Sequence, residues 1–515
     1  MAFNTYELSS VERKTPNLGE GEEPRGGEIA TQLGYTQQLE EKFGLVSMIG
    51  FSCTIMITWE GILFVYQYGM YDGGPLGSII GYLFCWIGYT LVALCLAELN
   101  SIFPTAGGQY HWTSELAPRS VRRPLSYMTG WLLVLGWQAD LASAAYLGGV
   151  IIQGVAALNY PEYQVERWQG TLILYAVVLF AFFFNTVLAR LLPFAEGTIL
   201  AIHILGWFAI LISIIVMGPH HSNEEVWGMW LNLGGYSQSG VSFFVGLIGP
   251  VFAFMGADGA THMSEEVAKP RTTIPWALIT SITLNGFLGF GMLIALLYCQ
   301  GDIMQNLGSK TGFPFIEAFL QSLHSLPWAT AYTSILLVLL VFANVAVLAA
   351  TSRTTYAFAR DNGLPFSSYI GHLHERTNLP LWALGLSVVV TMLLGLINIG
   401  SSTAFNAVIS LVVASFYSSY FNAIALLTWR KLTGTAPAPG PWTIGTTPSL
   451  VVNILTLIYV VIVFIFSFFP LVIPVNLTSM NWAVVLYFGV VFIGIMFYLV
   501  RGDNFVEPKP IYRKD

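Results

Sequence analysis

The stretch GPVFAFMGADG, residues 249–259, lies inside a long apolar segment and combines a proline, three glycines and an aspartate. Each of these residue types weakens a helix in lipid, because proline lacks a backbone donor, glycine adds backbone freedom and a carboxylate is costly to bury. We therefore predict a helix that is interrupted near the middle of a membrane. Glycines that serve only for close helix packing are the alternative.

The first apolar segment, residues 45–69, has a similar interruption. The run Gly50-Phe-Ser-Cys-Thr54 is followed by Thr58-Trp59-Glu60-Gly61. Segments one to five and six to ten have similar lengths, and each set begins with an interrupted helix. This pattern is typical of a transporter built from an inverted repeat, in which unwound helices expose backbone groups to the substrate.

Twelve apolar segments are long enough to cross a membrane, since a span needs about 20 residues. The chain is 55% hydrophobic and only 10% charged, with a mean hydropathy of +0.66, which excludes an ordinary soluble protein. The third segment is too long for a perpendicular crossing. The predicted spans are 45–69, 76–98, 124–156, 171–189, 196–217, 241–262, 275–299, 328–352, 380–398, 404–428, 449–470 and 481–500.

The positive charges fix the predicted orientation of these spans. With a cytoplasmic amino terminus, 19 of the 21 Lys and Arg residues fall on the cytoplasmic side, and only Arg167 and Lys310 lie outside. We expect flexible cytosolic tails over 1–44 and 501–515, without a signal peptide. Four cysteines lie in or beside apolar segments, which argues against a disulfide framework. The domains we predict are two five-helix repeats, 45–217 and 241–428, and two added helices, 449–500.

Four motifs occur in an order that resembles the amino acid/polyamine/organocation superfamily, and within it the fungal amino acid/choline transporter branch, which includes choline and 4-aminobutyrate permeases. The resemblance covers residues 43 to 500. The matching motifs are AEL, FP and AGGQYHW at 97–112, FAFMGADGATHMSEEVAKPRTTIPWA at 252–277, FARDNGLP at 358–365 and SSTAFN at 401–406.

The resemblance implies an all-α integral membrane protein with a LeuT-type core of ten helices plus two more. The substrate would then lie between helices one, three, six, eight and ten. Members of the family carry a glycine-rich first-helix break that binds a carboxylate through backbone amides. This chain keeps Gly50 but has Phe51, Ser52, Cys53 and Thr54 beside it, so we expect recognition of an amine more than of a carboxylate.

Three acids within apolar segments are candidates for a cationic substrate, because a charge in the bilayer needs a partner or water. Asp140 lies in the third span, Asp258 in the sixth and Glu60 beyond the first break. Trp59 and Phe254 would supply aromatic walls. Family members carry a small apolar residue near the position of Asp140, which suggests a specificity role. Pairing with a neighbouring helix is the alternative for Asp140. Asp258 matches an aspartate of the fungal branch, so the resemblance equally allows a structural or coupling role for it, and Glu60 could instead extend to the outer surface.

The remaining candidates are polar groups on the same helices and at the membrane faces. His203, in the fifth span, is the candidate proton carrier, although packed histidines are common. Glu265, Glu266, Arg271 and Arg360 would form an inner gate or a solvated charge cluster. Asn476 begins the external sequon Asn-Leu-Thr. Further candidate substrate contacts, with hydrogen bonding between helices as the alternative, are Gly50, Ser52, Thr54, Asn344 and Asn406.

These features predict a secondary active transporter of a small amine, amino acid or choline-like cation. Its energy source would be a proton gradient, and we expect no cofactor, metal or nucleic acid partner, a monomeric state, and a plasma or vacuolar membrane location. A membrane enzyme is disfavoured because His220-His221 and His372-x-His374 lack further ligands. A facilitator or exporter of a specialised amine, or a transporter-type nutrient sensor, remains open.

Overall fold

The computed structural model describes residues 41–400, 402–477 and 479–507, and for residues 402–406 it describes the backbone alone. Most of the two predicted tails therefore lies outside the described residues. The described helices are α1 Leu45–Met56, α2 Thr58–Phe64, α3 Tyr66–Tyr71, α4 Gly74–Ile102, α5 Gln109–Leu116, α6 Arg122–Asn159, α7 Arg167–Thr186, α8 Leu192–Met217, α9 Asn223–Gly228, α10 Ser239–Gly246, α11 Ile248–Ala253, α12 Gly259–His262, α13 Pro270–Cys299, α14 Ile303–Leu307, α15 Pro314–Leu323, α16 Leu326–Arg360, α17 Ser367–Ile370, α18 Leu381–Gly395, α19 Ile397–Gly400, α20 Ser402–Leu432, α21 Thr446–Phe466 and α22 Ala483–Arg501.

Eleven helical stretches among the described residues are long and apolar enough to cross a membrane. The predicted sixth span supplies a twelfth in short pieces, α10, α11 and α12. The third span is α6, a helix of 38 residues, as its long apolar segment indicated. The all-α architecture is therefore consistent with the predicted twelve-helix LeuT-type fold.

The interruption of the first span lies at Ile57, beyond the run 50–54 where it was expected. Ile57 has a left-handed backbone (φ 34°) and separates α1 from α2. Residues 50–54 instead continue α1, where the Thr54 hydroxyl donates to the Gly50 carbonyl at 2.8 Å. This bond is compatible with helix continuation, so the small and polar residues there do not unwind the chain.

The interruption of the sixth span is wider and lies between α11 and α12. Residues 254–258 connect these helices, and Gly256 has φ 94°, a conformation that side chains disfavour. Pro250 does not cause the break, because it lies in the first turn of α11, where the missing backbone donor has no helical acceptor to lose. The glycine and the aspartate, more than the proline, mark the interruption.

The two interruptions contact each other at the centre of the molecule. A methyl group at Gly256 or at Gly259 would collide with the Ile55 side chain, and one at Gly61 would lie 3.3 Å from the Ala253 Cβ. Helices α6 and α16 pack together and α20 also packs on α6, while α13 packs on α4 and on α1. The broken helices are thus enclosed by long continuous ones, which places their free backbone groups inside protein.

Candidate functional site

Two buried carboxylates, Asp140 and Asp258, lie where the sixth-span break faces α6, and we call them the acid pair. Asp258 is fully buried, and its Oδ2 accepts a hydrogen bond from the Gln109 side-chain amide at 2.8 Å. The other oxygen, Oδ1, has no hydrogen-bond partner among the described residues. Asp140, on α6, is close enough for its charge to interact with that of Asp258. Among the described residues, one carboxylate oxygen of Asp258 thus has a hydrogen-bond partner and the other has none.

Asp140 has no protein hydrogen bond or ion pair to its carboxylate in the described part of the chain, and only 8% of the residue is exposed. The Ser143 hydroxyl, three residues further along α6, donates to the Asp140 backbone carbonyl at 2.8 Å and not to the carboxylate. A buried carboxylate without a partner is costly. Asp140 is therefore a group that gains from an arriving cation.

Aromatic side chains surround the two acids. The hydroxyls of Tyr89 and Tyr420 are 3.5 Å apart, and both side chains interact electrostatically with Asp258. The ring of Trp137, one turn from Asp140, meets the His262 ring edge-on, with centroids 5.5 Å apart. Carboxylates combined with aromatic faces are the usual means of binding an ammonium group.

Trp59 and Phe254, the aromatic walls proposed from sequence, have other neighbours. The Trp59 indole donates to His203 Nδ1 at 3.1 Å, and the Phe254 ring lies 5.0 Å from that of Tyr82. Both are fully buried at the breaks. Among the described residues, their hydrogen bond and ring contact link them to His203 and Tyr82, and none links either one to Asp140.

Glu60 and His203 form a buried pair between α2 and α8. His203 Nδ1 lies 2.6 Å from Glu60 Oε1, and His203 Nε2 lies 2.9 Å from the Asn285 Oδ1 of α13. The residue Glu60 is completely buried, so it does not extend to the outer surface as the alternative from sequence allowed. Oxygens face both ring nitrogens, while the Trp59 N–H also points at Nδ1, so one proton can reside on either Glu60 or His203.

The inner-gate candidates lie at the end of the molecule that holds most of the positive charge. Arg360 forms two hydrogen bonds with Glu265, at 3.0 and 3.2 Å. Glu266 pairs instead with Arg353 at 2.8 Å, a partner that the sequence did not indicate. Arg271 donates to the Ser101 carbonyl at 2.8 Å. These bonds connect the segment after α12 to α16 and to α4.

The start of α1 is attached to the same segment. The backbone amides of Lys42 and Phe43 donate to the Glu266 carbonyl at 2.8 and 3.0 Å, and Phe43 forms a short parallel bridge with Val267. The start of the first broken span and the end of the sixth are thus bound together at the positively charged face.

A cavity of about 260 Å³ lies at the opposite end, where the outer parts of the broken helices meet α20 and the connection between α21 and α22. Gln67 and Tyr68 of α3 line it together with Ile248 of α11 and Ser410 of α20. The molecule thus has a cavity at one end and ion pairs at the other.

The other predicted contacts are more dispersed. Gly50 faces the Glu196 backbone, where a Cβ would lie 3.0 Å from the carbonyl oxygen. The Ser52 hydroxyl is buried and has no hydrogen-bond partner among the described residues. Asn344 donates to the Leu340 carbonyl within α16 at 3.1 Å. The Asn406 side chain lies outside the described residues, and so does Thr478 of the sequon, whereas Asn476 is exposed.

Sequence reasoning missed several buried polar groups of this centre. Gln109 and His262 lie beside Asp258, with His262 Nε2 at 3.8 Å from its Oδ2. Asn285 orients His203, and Glu196 is buried in α8 near the start of α1. Glu196 could have been found, because an acid in an apolar segment is a signal by itself. Asn285 and Gln109 carry no such signal, since amides in helices are common.

The chain is similar to known permeases and transporters over most of its length. The family model described as amino acid permease matches residues 43–492. An amino acid/polyamine transporter of Macrophomina phaseolina is 31% identical over 84% of this chain and 96% of its own length. The choline transporter of Saccharomyces cerevisiae is 30% identical over 90% of this chain and 82% of its own length. The GABA-specific permease of the same yeast is 26% identical over 93% and 84%.

Proposed function

Because this chain belongs to the amino acid permease family, we propose that it carries a small cationic amine, amino acid or choline-like compound across a membrane by alternating access, driven by protons. Membership of the family makes it a permease-type transporter and an integral, multi-pass membrane protein, and not an enzyme. The substrate class, the coupling and a plasma membrane location, with the vacuolar membrane as the alternative, are our proposal.

The unpartnered carboxylate of Asp140 carries the substrate assignment. An ammonium group placed between Asp140 and the aromatic cluster would supply the missing ion pair and a cation–π contact. The names of three relatives, for choline, amino acids or polyamines, and GABA, all denote compounds that contain a nitrogen able to carry positive charge. A cationic nitrogen is thus the chemical feature that site and relatives have in common.

The Glu60–His203 pair supports the coupling assignment. It connects α2, beyond the first break, with α8, so a change in its protonation alters a contact of a broken helix. With the proton present, an imidazolium–carboxylate or a neutral hydrogen-bonded pair holds these helices together. Loss of the proton leaves a buried negative charge whose second oxygen, Glu60 Oε2, has no described hydrogen-bond partner. Protonation therefore favours one arrangement of α2 over another.

Uptake by the purified protein in liposomes tests the proposal. The panel contains choline, 4-aminobutyrate, a polyamine, basic and neutral amino acids, and cyclic amines, each with and without an inward proton gradient. We expect a cationic compound to accumulate above equilibrium only with the gradient. If the compound reaches equal concentrations on both sides of the membrane with or without the gradient, the result would instead support a facilitator. Binding of a panel compound without any flux would support a sensor.

Variants of the buried pair test the coupling separately. We expect Glu60→Gln and His203→Gln to abolish gradient-driven accumulation while substrate exchange across the liposome membrane continues. His220→Gln is the control, because His220 is an exposed residue between α8 and α9. Accumulation that persists in both pair variants would exclude Glu60 and His203 as the coupling groups.

A further inference from the structure

A groove of about 520 Å³ lies at the foot of α1, on the face that the charge distribution assigns to the cytoplasm. Three separate segments supply its basic residues: Lys42 precedes α1, Arg190 lies between α7 and α8, and Arg376 lies between α17 and α18. We call it the basic groove. The other lining residues are Thr186, Val187, Ala189, Thr377, Asn378 and Leu379.

Arg190 and Arg376 of the basic groove are not balanced by an acid among the described residues. None of the described lining residues is acidic, and no described carboxylate pairs with Arg190 or Arg376. Both arginines are exposed, and hydroxyl and amide groups of Thr377 and Asn378 lie beside them. Arginines that converge with hydrogen-bond donors are suited to a phosphate group.

Exposed apolar side chains lie in, or within four residues of, the segments that form the basic groove, which points to a lipid and not to a soluble anion. Val187 lines the groove and is 69% exposed, and Phe194, in the first turn of α8, is 76% exposed. Trp382, at the start of α18 and within four residues of Asn378, is 60% exposed. Aromatic and apolar side chains beside basic ones mark the level of lipid headgroups.

We propose that the basic groove binds the phosphorylated headgroup of an anionic phospholipid, whose acyl chains lie along Val187 and Phe194. Arg190 and Arg376 supply two guanidinium groups without a described carboxylate partner for the headgroup phosphate, and basic pockets between helices on the cytoplasmic side bind such lipids. The inference is independent of the substrate, because the groove is formed by loops and contains none of the residues of the acid pair.

The position of the basic groove gives the lipid a regulatory effect. Lys42 is adjacent to Phe43, whose amide helps to close the inner face through the Glu266 carbonyl. Arg190 and Arg376 lie in connections between other helices. A headgroup bound to Arg190 and Arg376 would join those connections beside the foot of α1 and favour the inward-closed state.

The test measures lipid binding to the purified full chain in detergent by native mass spectrometry. The probe is phosphatidylinositol 4-phosphate, with phosphatidylcholine as the neutral lipid. We expect one tightly bound phosphoinositide, and in the triple variant Lys42→Gln, Arg190→Gln, Arg376→Gln an affinity weaker by roughly tenfold or more. The matched control removes the same charge from the same face, by Arg119→Gln, Lys269→Gln and Arg501→Gln, and should bind as the parent does.

Each other outcome overturns the proposal. Equal losses in the triple variant and the control would mean attraction by general surface charge. Tight binding of inositol 1,4-bisphosphate or inorganic phosphate, with no gain from acyl chains, would mean a site for a soluble anion. If the triple variant fails to fold, the single variant Arg376→Gln is measured, and unchanged affinity there contradicts the assignment. Asp140→Asn should retain the lipid, which separates this result from the fate of the proposed function.

Discussion

At the scale of single residues, Asp140 makes the sharpest prediction. In Asp140→Asn the carboxylate is lost but the shape is kept, so a cationic substrate loses one charge-assisted interaction. Such interactions are worth about 1.5–3 kcal/mol, which corresponds to a KM higher by about 10- to 100-fold. Initial rates of uptake by proteoliposomes over a range of substrate concentrations give this value.

The control for Asp140→Asn is Glu162→Gln, which removes the same charge from an exposed residue outside the helices. We expect its KM to equal that of the parent. Asp140→Glu should retain part of the affinity, since the charge remains. An unchanged KM in Asp140→Asn, with equal amounts of folded protein, would remove Asp140 from the substrate site.

From the Asp72 carboxyl we predict how the free energy of unfolding depends on pH. It lies between α3 and α4 and accepts a hydrogen bond from the Ser242 hydroxyl at 2.9 Å. Burial raises the pKa of the Asp72 carboxyl from 3.8 to about 6, and the Ser242 bond opposes this only in part. Between these two values the unfolded chain loses the proton and the folded chain keeps it, so stability falls as the pH rises from about 4 to about 6.

The variant Asp72→Asn removes this contribution, because an amide does not titrate. We expect its Tm relative to the parent to be higher at pH 7 than at pH 4. Intrinsic tryptophan fluorescence reports the unfolding at both pH values, since Trp59, Trp112 and Trp137 are fully buried in the folded protein. A difference in Tm that stays the same at the two pH values would contradict the raised pKa.

At the scale of elements, the break between α11 and α12 depends on Gly256. Gly256→Ala places a Cβ against the Ile55 side chain at a backbone conformation with φ 94°. Strain of this kind costs about 1–3 kcal/mol. We expect a lower Tm and a loss of transport, because the same glycine holds the two breaks in contact.

Gly385→Ala is the matched control for that substitution. Gly385 lies within α18, and no heavy atom would be within 4 Å of the new methyl group. Alanine should stabilise this helix by up to about 1 kcal/mol. Equal effects of the two substitutions on Tm and transport would show that the break does not require glycine.

The elements also show where sequence patterns mislead. Glycine and small polar residues at 50–54 predicted a break there, yet they form helix, and Gly50 serves the close approach of α1 to α8. The β-branched Ile57, which sequence would not select for a left-handed conformation, marks the actual interruption. Packing around the first span decides where it is interrupted, because the enclosing helices hold Ile57 in a left-handed conformation that a β-branched residue disfavours.

At the scale of the whole molecule, we expect the Glu265–Arg360 pair to stabilise a closed inner face. Glu265→Gln removes the carboxylate that accepts two hydrogen bonds from Arg360, so the inward-open population should increase. A cysteine placed at the buried Ser264 reports this, since an impermeant maleimide applied from the charged side reaches it only after opening. We expect labelling to be severalfold faster.

The exchanged pair Glu265→Arg with Arg360→Glu should bring the labelling rate back toward that of the parent. Asp503→Asn is the control, because it removes an exposed partner of Arg123 at 3.4 Å on the same face. That variant should not change the rate. Fast labelling in the exchanged pair, as in the single variant, would mean that the ion pair does not hold the gate.

The sequence alone determined the class of this protein, its twelve spans and the two interrupted helices. These follow from local physics, since lipid demands apolar residues over a set length and ionisable groups in such segments are conspicuous. The acids Asp140, Asp258 and Glu60 were found in this way.

Only the tertiary structure decided which of these groups are partners. Glu60 meets His203, which lies 143 residues further along the chain, and Glu266 meets Arg353 instead of Arg271. Among the described residues, the Asp140 carboxylate has no hydrogen-bond or ion-pair partner. Long-range pairing depends on how the helices pack around the breaks. The order of residues along the chain does not by itself give the distance between two helices.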